Sequence, residues 1–165
     1  MNFNNFTIKS QEAIQKAVEI TRAAGTQAVE PMCILKGVIE EGESVLKFIF
    51  QKIGANPALV SSQVDVEIAA LPKVSGQEPY LSRSSNDVLQ KALDVAKKLG
   101  DEYVTLEAIL VAIFEINSPA STILKDAGLS RKELDAAIAE LRKGRKATDQ
   151  GAEETYSARS KYAIN

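Results

Sequence analysis

Apolar residues recur along this chain at spacings of three and four, the period of a helix face, in one segment after another. Ala13, Ala17, Ile20 and Ala24, with Ile14 and Val18 beside them, mark a first helix. It stops at Gly25, a residue free to take the left-handed turn that ends helices. Glu30-Pro31 opens a second helix, where the missing N–H of Pro31 costs nothing, and Ile34, Leu35, Val38 and Ile39 form its buried face. Gly42 interrupts the pattern, and Val45, Leu46, Ile49 and Phe50 carry a third helix to Gly54. Asn56-Pro57 supplies an N-cap and a helix-compatible proline for a fourth helix through Val60, Val64 and Ile68.

A second set follows. Ser84 to Asp87 has the form of a capping box with a shorter acid, and its helix runs through Val88, Leu89, Ala92, Val95 and Ala96 to Gly100. Thr105 can cap a helix carrying Leu106, Ile109, Leu110 and Ile113. Ser118-Pro119 opens the next, which ends at Gly128. Ser130 to Glu133 is a full S-x-x-E capping box heading a helix through Leu134, Ala137, Ile138 and Leu141. No stretch alternates with β-branched enrichment, so the pattern requires no strands. The expected fold class is all-α, with eight helices.

The two sets are copies of one another. Phe6–Glu40 lies over Leu81–Glu115 without a gap, 75 residues on, with Ser10/Ser85, Gln15/Gln90, Lys16/Lys91, Ala17/Ala92, Gly25/Gly100, Val29/Val104, Ile34/Ile109, Leu35/Leu110 and Glu40/Glu115 identical. After one lost residue the echo resumes at Ile49/Ile123 and Gly54/Gly128. Two pseudo-twofold-related four-helix repeats are expected, repeat one over about 5–71 and repeat two over about 80–144. The stretch between them contains Pro72, Gly76 and Pro79 and reads as a loop. From Arg142 onward large apolar residues become scarce and charges frequent, so 145–165 is expected to be a flexible linker after a domain spanning 1–144, with a marginal helix over 153–162. A chain that finishes this way reads as a fragment of something longer.

Composition narrows the chemistry. With 45% hydrophobic and 25% charged residues the chain looks like an ordinary soluble globular protein, and a net charge of −2 favours neither nucleic acid nor an acidic membrane. There is no histidine, which removes the commonest general base and metal ligand, and neither a phosphate loop nor a GxGxxG turn is present. Carboxylate pairs such as Glu40/Glu41 and Glu153/Glu154 are adjacent in sequence, so they do not face one another on a helix and read as solvated surface. No catalytic residue and no metal ligand is expected. The single cysteine, Cys33, lies on the apolar face of the second helix and reads as a buried small hydrophobe, consistent with a reducing cytoplasmic setting. The basic run Arg142, Lys143, Arg145 and Lys146 lacks interleaved aromatic residues and reads as a helix end running into the linker.

Phe6-Thr7 before the first helix, Gly25 after it, the segment EPMCILKGVIEE from Glu30 to Glu41 and its second copy Val104–Glu115 carry a family pattern. They resemble the amino-terminal domain of Clp-type ATPases. Glu30-Pro31, the Leu71-Pro72 stop and the run Asp149-Gln150-Gly151-Ala152-Glu153 leading to Lys161-Tyr162 look most like the ClpB-type disaggregase branch. The resemblance implies a ring-forming, ATP-dependent chaperone, homohexameric and cooperating with an Hsp70-type system, of which this segment is the substrate-engaging domain. ATP and magnesium would then belong to ATPase modules outside this chain, which itself needs no cofactor and is expected to be monomeric. The expected partners are unfolded or aggregated polypeptides, not nucleic acid or membrane. An adaptor-docking domain of a ClpA- or ClpC-type unfoldase, or an independent helical binding module, is the rival. Met32 stands where ClpC-type domains carry glutamate, which argues against a paired-glutamate site reading charged modifications.

Two related four-helix units must meet, and a groove along the meeting line is geometrically expected. Leu89, Val95 and Ala108 are candidates to line it, and equally candidates for plain core. The resemblance marks Thr7, Asp101 and Glu107 as substrate-handling positions that would edge the groove and orient bound backbone. Each also has a local reading: Thr7 as a cap, Asp101 as a turn residue, Glu107 as an acid favoured in a first helical turn.

Overall fold

The structure, a computed structural model, describes residues 2–74, 76 and 78–153. Among them are eight helices: α1 (Ile8–Ala23), α2 (Pro31–Glu41), α3 (Glu43–Ile53), α4 (Pro57–Ala69), α5 (Arg83–Lys98), α6 (Leu106–Glu115), α7 (Pro119–Asp126) and α8 (Arg131–Arg142). The expected caps close most of them. Asn56 Oδ1 accepts from the N–H groups of Ala58 and Leu59, and Thr105 Oγ1 from that of Ala108. Gly25, Gly54, Gly100 and Gly128 all take positive φ at helix ends. α5 differs from expectation: Ser82, not Ser84, is its cap, accepting the Ser85 N–H at 3.0 Å. Ser130 accepts from the Glu133 N–H, but the Glu133 carboxylate meets the Ser130 hydroxyl rather than its backbone, so that box is only half formed.

The repeats interlock. α1 packs on α2 and α5 on α6 within each copy, whereas α3 packs on α8 and α4 on α7 between copies, with α2 against α6 at the centre. Every residue of α6 from Leu106 to Phe114 is buried. That is why this stretch is apolar on every side except at Glu107 in its first turn; no single helix among the described residues is long and apolar enough to cross a membrane. Gly37 brings α2 unusually close to α1, since a Cβ there would lie 2.2 Å from the Ala13 carbonyl oxygen. One continuous core draws on both repeats, and Cys33 lies within it as expected.

Reciprocal main-chain ties secure the pseudo-twofold relation. Thr7 N–H donates to the Val104 carbonyl at 3.0 Å, and its counterpart Ser82 N–H to the Val29 carbonyl at 3.2 Å. The Ser10 hydroxyl reaches the same Val104 oxygen at 2.9 Å, and the Ser85 hydroxyl the same Val29 oxygen at 2.6 Å. A twofold relation demands such paired contacts, and it accounts for the identity of Ser10/Ser85 and Val29/Val104. These ties include two minimal strands, β1 (Ala28–Val29) and β2 (Tyr80–Leu81), paired in parallel, and a single bridge between Phe6 and Val104. The sequence pattern required no strands, and pairings of one or two residues are too short to leave an alternating pattern.

Residues 145–153, where the flexible linker was expected to begin, pack on the domain. After Lys143 and Gly144, both at positive φ, the chain turns back across the domain. Ala147 is fully buried and Ala152 is 5% exposed. The Glu102 and Tyr103 N–H groups donate to the Ala147 carbonyl, and the Ile8 N–H donates to that of Gln150 at 2.8 Å. Small residues and hydrogen bonds hold this strap, so its lack of large apolar side chains was a misleading sign. The helix expected over 153–162 lies outside the described residues beyond Glu153.

Candidate functional site

Among the described residues the six candidate side chains are enclosed rather than open to solvent. Leu89, Val95 and Ala108 are at most 3% exposed and belong to the core, the alternative left open for them. Ala108 follows because all of α6 around it is enclosed. Thr7 and Glu107 are fully buried and the Asp101 side chain is closed off from solvent, so they do not edge an open surface. Thr7 bonds to Glu153, and Asp101 and Glu107 are brought together around a residue that the sequence marked only as part of a basic helix end.

That residue is Arg142, the last of α8. Its Nε donates to Glu107 Oε2 at 2.9 Å, Nη1 to Asp101 Oδ1 at 2.8 Å and Nη2 to Thr105 Oγ1 at 3.0 Å. A planar guanidinium fits such a fork of acceptors, where a lysine ammonium would not reach all three. Asp101 Oδ1 also accepts the Ala147 N–H at 2.9 Å, which links the cluster to the strap. At the strap's far end Glu153 Oε2 accepts from the Thr7 hydroxyl at 2.6 Å and the Leu106 N–H at 3.0 Å. One carboxyl thus joins the first turns of α1 and α6. Two carboxyl groups, Asp101 and Glu107, share the Arg142 guanidinium in a buried space, and the Glu153 carboxyl adds a third acid next to Glu107. Burial first, and then the negative charge of Glu107, push the Glu153 carboxyl up to about 7, against the pull of its Thr7 and Leu106 hydrogen bonds.

Sequence reasoning missed both Arg142 and Glu153. A signal for Arg142 existed: it follows Ile138 by four, and Leu134, Ile138 and Leu141 form the buried stripe of α8. Glu153, read as solvated surface, is 2% exposed, and nothing local marks its long-range partners.

An open groove does lie where the repeats meet, but between α4 and α7. A cavity of about 550 Å³ is lined there by Gln63, Val66 and Glu67 on one side and by Pro119, Thr122, Ile123 and Asp126 on the other. Val66 is 68% exposed and Leu59, two turns earlier on the same side of α4, is 56% exposed. α4 therefore buries Val60, Val64 and Ile68 and still presents large apolar groups outward. The ionisable groups lining the groove, Glu67 and Asp126, are both acidic.

Two interlocked helical repeats that share one core define a double-repeat helical module. The family model of the Clp repeat (R) N-terminal domain matches residues 5–127, and the chain belongs to that family. It is 59% identical over 165 residues to chaperone protein ClpB of Bacteroides thetaiotaomicron, covering 100% of this chain and 19% of that protein. Identity to chaperone protein ClpB of Porphyromonas gingivalis is 54%, with the same two coverages. The matching part is the ClpB N-terminal region, and the chain spans about a fifth of the length of these curated relatives. Among solved structures, the Hsp104 N-terminal domain from Candida albicans superposes with a TM-score of 0.77 at 23% identity, covering 90% of this chain and 99% of that one. The N-terminal domain of the Escherichia coli ClpV1 ATPase gives 0.73 at 18% identity, covering 90% of each chain. At these identities the likeness concerns the fold.

Proposed function

We propose that this chain is the non-catalytic recognition domain of an ATP-dependent disaggregase and takes exposed apolar segments of unfolded or aggregated polypeptides into the groove between α4 and α7. The observation that carries this reading is the exposed apolar side of α4, Leu59 and Val66, of which Val66 lines the α4–α7 cavity together with Pro119 and Ile123. Large exposed apolar groups in a concave, polar-rimmed setting are the usual mark of a binding surface. The acids Glu67 and Asp126 favour segments in which lysine or arginine flanks the apolar side chain. A shallow open groove of this kind holds many sequences weakly, as a client-capturing domain requires. ATP hydrolysis, the hexameric ring and cooperation with an Hsp70-type system belong, in this reading, to the longer protein, as does a cytoplasmic location.

The test is a titration of a reduced, alkylated model protein that cannot refold against the wild-type chain, Val66→Asp and Ile123→Asp. The reading predicts binding about fivefold weaker for either variant, a loss of about 1 kcal/mol, with unchanged thermal stability for Val66→Asp. Unchanged affinity in both variants would overturn it. Saturation by one folded partner, with no affinity for unfolded chains, would favour the adaptor-docking reading instead.

A further inference from the structure

The strap is held in the manner of a bound peptide. Its backbone is gripped at Ala147, whose carbonyl accepts from the Glu102 and Tyr103 N–H groups and whose N–H donates to Asp101, and again at Gln150, whose carbonyl accepts from Ile8. The Gln150 side chain donates to the Asn4 carbonyl at 3.2 Å. A closed slot accepts the Ala147 methyl, and a polar pocket made by Thr7 and the Leu106 N–H accepts the Glu153 carboxyl. Ile8 and Leu106 open α1 and α6, so their N–H groups have no acceptor within their own helices. Main-chain hydrogen bonds for affinity and small pockets for chosen side chains are how bound peptide segments are commonly recognised.

The occupant is also weakly committed to its place. Its buried apolar groups are the methyls of two alanines. Its carboxyl enters a space already holding Asp101 from the loop after α5 and Glu107 from α6, with Arg142 of α8 as the buried counter-charge and Lys146 of the strap packed beside Gly100. Glu153 Oε1 is buried without a hydrogen-bond partner among the described residues. Docking therefore favours the protonated carboxyl, in keeping with its value of about 7.

We propose that the cleft between the entries to α1 and α6 is a second peptide-binding site, filled in cis by residues 147–153, and that it accepts a polypeptide segment that turns as the strap does and bears a small residue, then an amide and a carboxyl side chain three and six positions on, when the strap is displaced. The site is independent of the α4–α7 groove. Thr7, Asp101 and Glu107 reach a ligand only through this exchange.

The probe is a fluorescent synthetic peptide with the sequence of residues 145–153, titrated at pH 6 against the wild-type chain and Ala147→Arg, whose larger side chain cannot re-enter the closed slot. Hydrogen exchange at the Ile8, Glu102 and Tyr103 amides reports strap release. The expected result is faster exchange at all three and binding at least about tenfold tighter to the variant than to wild type, with no binding of a peptide carrying the same alanine-to-arginine change. Equal binding to both chains, or none to a released variant, overturns the proposal. Should Ala147→Arg fail to fold, Ala152→Arg serves in its place. Should both fail, exchange in the wild-type chain decides: the three amides must open together below the threshold of global unfolding, and exchange only in step with the α6 core refutes a displaceable occupant.

Discussion

The Thr7 hydroxyl donates to the Glu153 carboxyl at 2.6 Å, joining the cap of the first helix to a residue 146 positions later. Through that bond and the guanidinium of Arg142 the start of α1, the start of α6, the end of α8 and the strap form one buried polar unit. Such a unit is sensitive to the loss of any member, because the charges left behind have no water to turn to.

Arg142→Met removes the counter-charge of Asp101 and Glu107, both of which are enclosed. Loss of about 3 kcal/mol or more is expected in urea unfolding, and Arg142→Lys restores only part of it, since one ammonium cannot replace the fork.

The Glu153 carboxyl sits at about 7 in the docked strap and near 4.5 when released. A raised value means that docking binds a proton. Its contribution is complete below about pH 4.5, falls as pH rises, and is lost by about pH 7. The full span corresponds to about 3 kcal/mol at most. In Glu153→Gln, thermal unfolding measured from pH 5 to pH 8 should lack this part of the wild-type slope.

Gly37→Ala and Gly54→Ala should separate crowding from backbone strain. At Gly37 the new methyl meets the Ala13 carbonyl, so the α1–α2 contact must open, at a cost of about 2–3 kcal/mol. At Gly54 the space is empty and only the φ of 87° resists, at about 1 kcal/mol. Chemical denaturation of both variants checks the order.

Leu89→Ala should cost about 2–5 kcal/mol, as a cavity in the core does, whereas Val66→Asp should change stability by less than about 0.5 kcal/mol. Any loss of client binding in the first variant would then track unfolding, and in the second it would not.

Helix-scale features were legible in the sequence because they are local. The stripes, the terminating glycines and the caps Asn56, Thr105 and Ser118 each declare themselves within a few residues. The duplication was legible too, and the identical Ser10/Ser85 and Val29/Val104 pairs acquire their reason from the reciprocal bonds. The site was not. Arg142 meets Glu107 across 35 positions and Glu153 meets Leu106 across 47, distances over which charge patterning carries no signal. The strap escaped notice because alanine methyls and backbone bonds hold it. The same grouping of Thr7, Asp101 and Glu107 that suggested a groove edge reflects a closed ionic cluster.

The most direct test of client capture at the seam is an NMR titration of the isotope-labelled chain with the unfolded model protein, following backbone amide shifts. The account predicts perturbations concentrated at Leu59, Gln63, Val66, Thr122, Ile123 and Asp126, with α5 silent. Perturbations centred on Leu89, Val95 and Ala108, with the α4–α7 groove unmoved, would contradict it.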